Sequence, residues 1–274
     1  MQIGIFAKTF SAKGAGPVFD AVGNAGYATA QFNMACLGLA PMPDTIGTET
    51  IASVADASRQ AGVAIAAVSA TYNMIHPDVK IREQGMKRLG VIMAAAKPMG
   101  TSMVTLCTGT RDPHDQWRKH PDNQTPEAWA ELLREMEKAV ALADRFDVDL
   151  GIEPELANVV NSAAQAKRLL TDLRSPRLRI VLDPANLFEV ETDARRRDIV
   201  AASVDLLGPH VAMAHIKDRD AKGHFVAPGS GVIDFRHFVE ALRDAKFTGS
   251  LVTHGLSEAE APSVARFMAE LAVP

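Results

Sequence analysis

Apolar residues recur along this chain in short runs, separated by longer stretches in which they return every three or four positions. The short runs, rich in Val, Ile and Phe, predict β-strands at 3–6, 28–32, 63–69, 102–107, 148–153, 178–183, 211–215 and 250–254. The helical periodicity predicts helices near 17–25, 48–61, 78–97, 125–145, 161–172, 193–206, 235–245 and 257–271. Their ends carry capping chemistry. Thr125 before Pro126 reads as an N-cap with a first-turn proline, Ser257 with Glu260 as a capping box, and Gly62 and Gly208 as helix stops.

Strict alternation of strand and helix implies parallel strands joined by right-handed crossovers. Eight of each fit a closed (β/α)₈ TIM barrel spanning residues 1–274 as one domain, since such barrels run to about 250 residues. No GxGxxG follows the first strand, which disfavours an open dinucleotide-binding sheet. The longest irregular stretch, 107–124, is expected to lie over the mouth of the barrel.

Composition narrows the function classes. With 47% hydrophobic and 23% charged residues, the chain has the makeup of a globular enzyme. Its net charge of −4 and the single short basic cluster Arg195, Arg196 and Arg197, interleaved with Asp193 and Asp198, give no stripe for nucleic acid. No apolar run reaches the roughly 20 residues of a membrane span, and the N-terminus has no signal-peptide pattern, so a cytoplasmic location is expected. Cys36 and Cys107 lack CxxC spacing and read as buried thiols.

In a barrel of this kind the reacting groups stand at the C-terminal ends of the strands. Four successive apolar runs end in polar residues: VDLGIE in Glu153, RIVLD in Asp183, VAMAH in His215 and GSLVTH in His254. Carboxylate and imidazole together suit manganese, zinc, cobalt or iron, whereas magnesium prefers an oxygen shell. One divalent ion held by Glu153, Asp183, His215 and His254 is therefore the expectation, with manganese first. Each residue has an ordinary alternative: Asp183 before Pro184 could form a turn, and a lone His is often a hydrogen-bonded core residue.

The motifs IEPE, LDPAN, AHIKD and GSGVIDF, in that order and spacing, resemble the xylose-isomerase-like superfamily of sugar phosphate isomerases and epimerases along the whole chain. The resemblance implies Glu153, Asp183 and His215 as metal ligands. It breaks at the fourth position, where the family usually has Glu and this chain has His254. In that family two glutamates work on opposite faces of the substrate, so here Glu153 is expected as base, with His254 or Lys217 opposing it. Asn186 replaces a substrate-contacting His found in several ketose epimerases, and Asn cannot titrate. Dimers or tetramers are common in the family.

Substrate contacts are expected from Asn73 and His76 after the third strand, from Arg111 and Trp117 with Arg118 and His120 in the long loop, and from Asn186 and Asp218. Helix entry competes for His76, a turn for Asn186, an ion pair for Lys217 with Asp218, and packing beneath a lid for Trp117. The implied reaction is proton abstraction next to the carbonyl of a keto-sugar or polyol derivative. Three alternatives stand beside it: an inosose-dehydratase-like lyase, an endonuclease IV-like phosphodiesterase with a multinuclear zinc centre, and a sugar-binding barrel without catalysis.

Overall fold

The computed structural model describes residues 1–272. Its strands are β1 (Gln2–Phe6), β2 (Thr29–Phe32), β3 (Ala64–Ser69), β4 (Met103–Leu106), β5 (Asp149–Ile152), β6 (Leu178–Leu182), β7 (Val211–Ile216), β8 (Asp218–Arg219), β9 (Phe225–Val226) and β10 (Ser250–Thr253). All but β8 and β9 lie parallel and close into an eight-stranded barrel, with β10 joining β7 to β1. Around it run α1 (Ala15–Asn24), α2 (Thr48–Ala61), α3 (Val79–Met99), α4 (Pro126–Phe146), α5 (Ala163–Leu173), α6 (Asp193–Leu207), α7 (Phe235–Asp244) and α8 (Ala261–Ala272). The architecture is the expected (β/α)₈ TIM barrel, with one addition: β8 and β9 form a small antiparallel hairpin between β7 and α7.

The barrel interior is built by the two-residue period of its strands. Ala67, Met103, Val181, Met213 and Val252 form a dry cluster inside it. Gly151 belongs to the same layer, because a Cβ there would lie 2.9 Å from a Val181 methyl. Two residues further along the same strands come Ser69, Thr105, Asp183, His215 and His254, and on β5 Glu153. An apolar layer thus plugs the barrel, and the next inward-facing layer is polar.

Most helix ends follow their capping chemistry. The Thr125 hydroxyl accepts from Ala128 N–H, and Gly62 ends α2 in the left-handed region at φ 66°. Gly208 likewise ends α6, though in a right-handed conformation that runs into a 3₁₀ turn, and its missing Cβ makes room for Ala245, 2.9 Å from where one would stand. One expectation needs correction. Ser257 and Glu260 pair through the Glu260 carboxylate, but in a turn preceding α8, which starts only at Ala261. No helix among the described residues is long and apolar enough to cross a membrane.

Candidate functional site

Glu153, Asp183 and His215 each follow or end a strand, and their donor atoms all lie within 4.8 Å of one another. Glu153 Oε1 is 3.1 Å from His215 Nδ1, and Asp183 Oδ2 is 4.0 Å from that nitrogen. Asn186, in the 3₁₀ turn after β6, donates to Glu153 Oε1 at 2.8 Å. Lys217 Nζ stands 3.2 Å from the buried Asp183 Oδ2 as an ion pair. The set fits a divalent cation: two carboxylates and an imidazole nitrogen converge, with donor atoms within 4.8 Å of one another.

Gln31 on β2 completes the arrangement. Its side-chain amide donates to Thr105 Oγ1 at 3.1 Å, so its Oε1 faces His215 Nε2 at 2.7 Å as an acceptor. His215 must then carry a proton on Nε2, which leaves Nδ1 as the nitrogen directed at Glu153 and Asp183. Sequence reasoning missed Gln31; its one signal was an amide in an otherwise apolar strand. It also missed Glu155, the second carboxylate of IEPE, which lines the same cavity.

Charges in the cluster sustain one another. Burial would raise the Glu153 pKa, but His215 and Lys217 outweigh it and hold the carboxyl well below its ordinary value. Burial opposes a charge on His215, yet Glu153 and Asp183 keep its pKa above the imidazole norm. Lys217 is likewise kept charged against burial, by Asp183 and Glu153. Asp183 itself is raised by burial, with Lys217 in partial opposition. For Glu155, burial reinforced by Glu153 pushes the pKa up to about 7.

His254 lies beside the cluster rather than within it. Val252, two residues before His254, pairs with His215 across β10 and β7. Its ring stacks between Phe6, at 5.1 Å, and His215, at 5.7 Å between centroids. The four-residue set expected from strand ends is thus three residues plus a stacked neighbour. Burial, reinforced by His215 and Lys217, pushes the His254 pKa down to about 3. Its Nδ1 is buried without a partner.

The other expected contacts divide by whether they reach the cavity of about 1060 Å³ above the cluster. Lys217 and Trp117 line it, together with Lys8, Lys119, Arg219 and Phe225. The remainder are engaged elsewhere. Asn73 exchanges two hydrogen bonds with the Thr110 backbone, at 2.8 and 2.9 Å, anchoring the long loop. His76 accepts from Asp78 N–H and reaches the Pro113 carbonyl at the entry to α3. Arg111 pairs with Glu131, which also pairs with Arg82. Arg118 pairs with Asp112, and His120 caps the 3₁₀ turn Pro121–Gln124. Asn186 is fully buried against Glu153. Asp218 accepts backbone N–H groups from Arg219, Gly229, Gly231 and Ile233 at 2.8–3.1 Å, so its carboxylate organises the GSGVIDF loop. Cys36 and Cys107 are buried and free.

Residues 19–271 match the family model described as xylose isomerase-like TIM barrel. No curated protein matches the chain in sequence. Among solved structures, the chain is similar to 3-keto-D-glucoside 4-epimerase from E. coli, at 18% identity and TM-score 0.76, over 99% of this chain and 98% of that one. D-psicose 3-epimerase from Clostridium cellulolyticum H10, solved with D-tagatose, aligns at 14% identity and TM-score 0.76 over 100% of both chains. An L-ribulose 3-epimerase aligns at 18% identity and TM-score 0.74, over 100% of this chain and 98% of that one. At these identities the likeness establishes the fold.

Proposed function

Since the chain belongs to the xylose isomerase-like TIM barrel family, we propose that it is a divalent-metal-dependent sugar isomerase or epimerase that removes a proton next to a carbonyl. The observation that carries this reading is the convergence of Glu153, Asp183 and His215, with donor atoms within 4.8 Å of one another, beside a large cavity that Glu153 and His215 line. Three solved neighbours are named as sugar epimerases, which supports the substrate class. Glu153, Asp183 and His215 Nδ1 would hold the ion, for which manganese suits the mixed donor set. When bound, such an ion polarises a carbonyl and offsets the negative charge that develops on its oxygen.

The chain's own groups divide the proton work. Glu153 stays ionised and is the base that accepts the proton, oriented by the Asn186 amide. Lys217 stays charged and is placed to steady a developing oxyanion. His254 is neutral and lines the cavity, where its imidazole can meet a hydroxyl of the substrate. Glu155, with a pKa of about 7, is better matched than His254 or Lys217 to return a proton near neutral pH. His254, standing where the resembling family has Glu, also favours a variant in which the same abstraction is followed by loss of a hydroxyl, making the chain a lyase.

Two measurements test the proposal. Metal analysis of protein purified without chelator is expected to give about one divalent ion per chain, lost in Glu153→Gln. A multinuclear zinc enzyme would instead give about three, although among the described residues only this three-donor cluster is present. Solvent deuterium should enter the carbon next to the carbonyl in a panel of ketoses and inososes with the native chain and not with Glu153→Gln. Equal incorporation by both proteins removes Glu153 as the base.

A further inference from the structure

Seven large apolar side chains are exposed among the described residues, and three of them, Trp117, Val190 and Phe225, surround the mouth of the one cavity that holds the metal cluster. Their exposures are 54%, 62% and 50%. They come from three different segments: the long loop after β4, the loop between β6 and α6, and the β8–β9 hairpin. Chains do not gather exposed apolar groups from separate loops around one opening by chance packing alone, because each costs solvation. A concentration of this kind marks a binding surface.

The cavity lining is mixed in chemistry. Glu153, Glu155, His215, Lys217 and Gln31 give it a polar part, and Leu156, Leu187, Phe188 and Ile199 an apolar one. Its volume of about 1060 Å³ is at the top of the ~300–1,000 Å³ range of small-molecule sites, more than one monosaccharide requires. Charges near the rim are mixed, Lys119 against Glu189 and Glu191, so a strongly charged substituent has no matching field there. Phe225 is held by cations, Lys217 Nζ at 4.4 Å and Arg219 at 4.0 Å from its ring centroid, which fixes the ring while half of the residue stays exposed.

We infer that the substrate is a glycoside whose ring carries a ketone away from the glycosidic carbon, rather than a free sugar: the reacting ring sits at the Glu153, Asp183 and His215 cluster, and an uncharged substituent with an apolar face lies between Trp117, Val190 and Phe225. This rests on the sugar reading proposed above and adds to it the second half of the molecule. An aryl aglycone and a second pyranose ring both present such a face.

The test is calorimetric titration of the manganese-loaded chain with methyl β-D-glucoside, phenyl β-D-glucoside and cellobiose. The phenyl glycoside or cellobiose is expected to bind at least tenfold more tightly than the methyl glycoside, the tighter of the two identifying the substituent. That gain should vanish in Trp117→Ala and in Val190→Ser, with methyl glucoside binding unchanged in Val190→Ser. Equal affinities for all three ligands, a gain indifferent to both substitutions, or no glycoside binding at all overturns the inference. So does a concentration-dependent dimer in sedimentation that dissociates in the same variants, which would assign the rim to a second copy of the chain. Failure of the proposed reaction reads out separately, as absent deuterium exchange with the rim-dependent gain intact.

Discussion

His215 is constrained on both of its nitrogens, and this fixes what each neighbour contributes. Gln31 can only accept at Nε2, because its amide is committed to Thr105, and that leaves Nδ1 for the cluster. Removing the acceptor in Gln31→Leu is expected to weaken manganese binding by about 10–100-fold, the usual cost of losing a ligand's outer partner, while leaving the fold intact. Calorimetric titration with manganese, paired with a thermal melt, checks this; unchanged affinity would show that Gln31 does not orient the imidazole. Glu155 offers a pH test at the same scale. Its pKa is near 4.5 in the unfolded chain and about 7 in the folded one, so between those values the folded state retains a proton that the unfolded state releases. Rising pH therefore costs stability across that window, and Glu155→Gln removes the cost. In metal-free protein the variant should gain in Tm over the native chain from pH 4 to pH 8, by about 2–4 °C for each kcal/mol recovered. A difference that does not change with pH contradicts the raised pKa.

At the scale of elements, the segment from β8 to the start of α7 hangs on a single carboxylate. Asp218 accepts four backbone N–H groups, two on each oxygen, and its side chain is fully buried. Gly231 is required there by close approach, since a Cβ would lie 2.2 Å from the Arg219 carbonyl oxygen. Asp218→Asn replaces one accepting oxygen with a donor and faces it against two N–H groups. The expected cost is about 1–3 kcal/mol, with faster amide exchange confined to residues 219–233 and a loss of order in the hairpin that carries Phe225. Exchange spread evenly over the barrel would instead mean that this loop is not a separate unit. The sequence had offered Asp218 as a substrate contact because it stands next to His215 and Lys217. Strand alternation takes the side chain away from the cavity that Lys217 enters, a relation that becomes visible once the hairpin is in place.

For the molecule as a whole, the proposed metal site would couple ion binding to stability. Its three donors come from β5, β6 and β7 and their following residues, positions brought together only when the barrel closes. A ligand bound by the folded state alone stabilises it by about 2.7 kcal/mol at a hundredfold excess over Kd. Manganese should accordingly raise the Tm by about 5 °C or more, and a chelator should reverse the change. No shift of the native chain at millimolar manganese, or an equal shift in Glu153→Gln, would remove this cluster from the account.

The sequence by itself determined the barrel, because a period of two in eight runs and a period of 3.6 between them admits few topologies, and parallel strands with short connections leave closure as the solution. It also determined Glu153, Asp183 and His215, since each ends an apolar run at a strand's C-terminal end. Tertiary structure decided the rest. Gln31 joins the site from a strand that meets β7 only across the barrel interior, 184 positions away in sequence, and an amide within a short strand is its one local mark. His254 ends its apolar run in the same way as the other three, yet its ring stacks between Phe6 and His215 and stays beside the cluster. Asn73, His76, Arg111 and Asp218 have the composition of site residues, but their hydrogen bonds are spent on loops and helix entries. Period and composition are local properties of a chain, whereas register, tautomer and the direction of a loop side chain depend on partners that folding alone supplies.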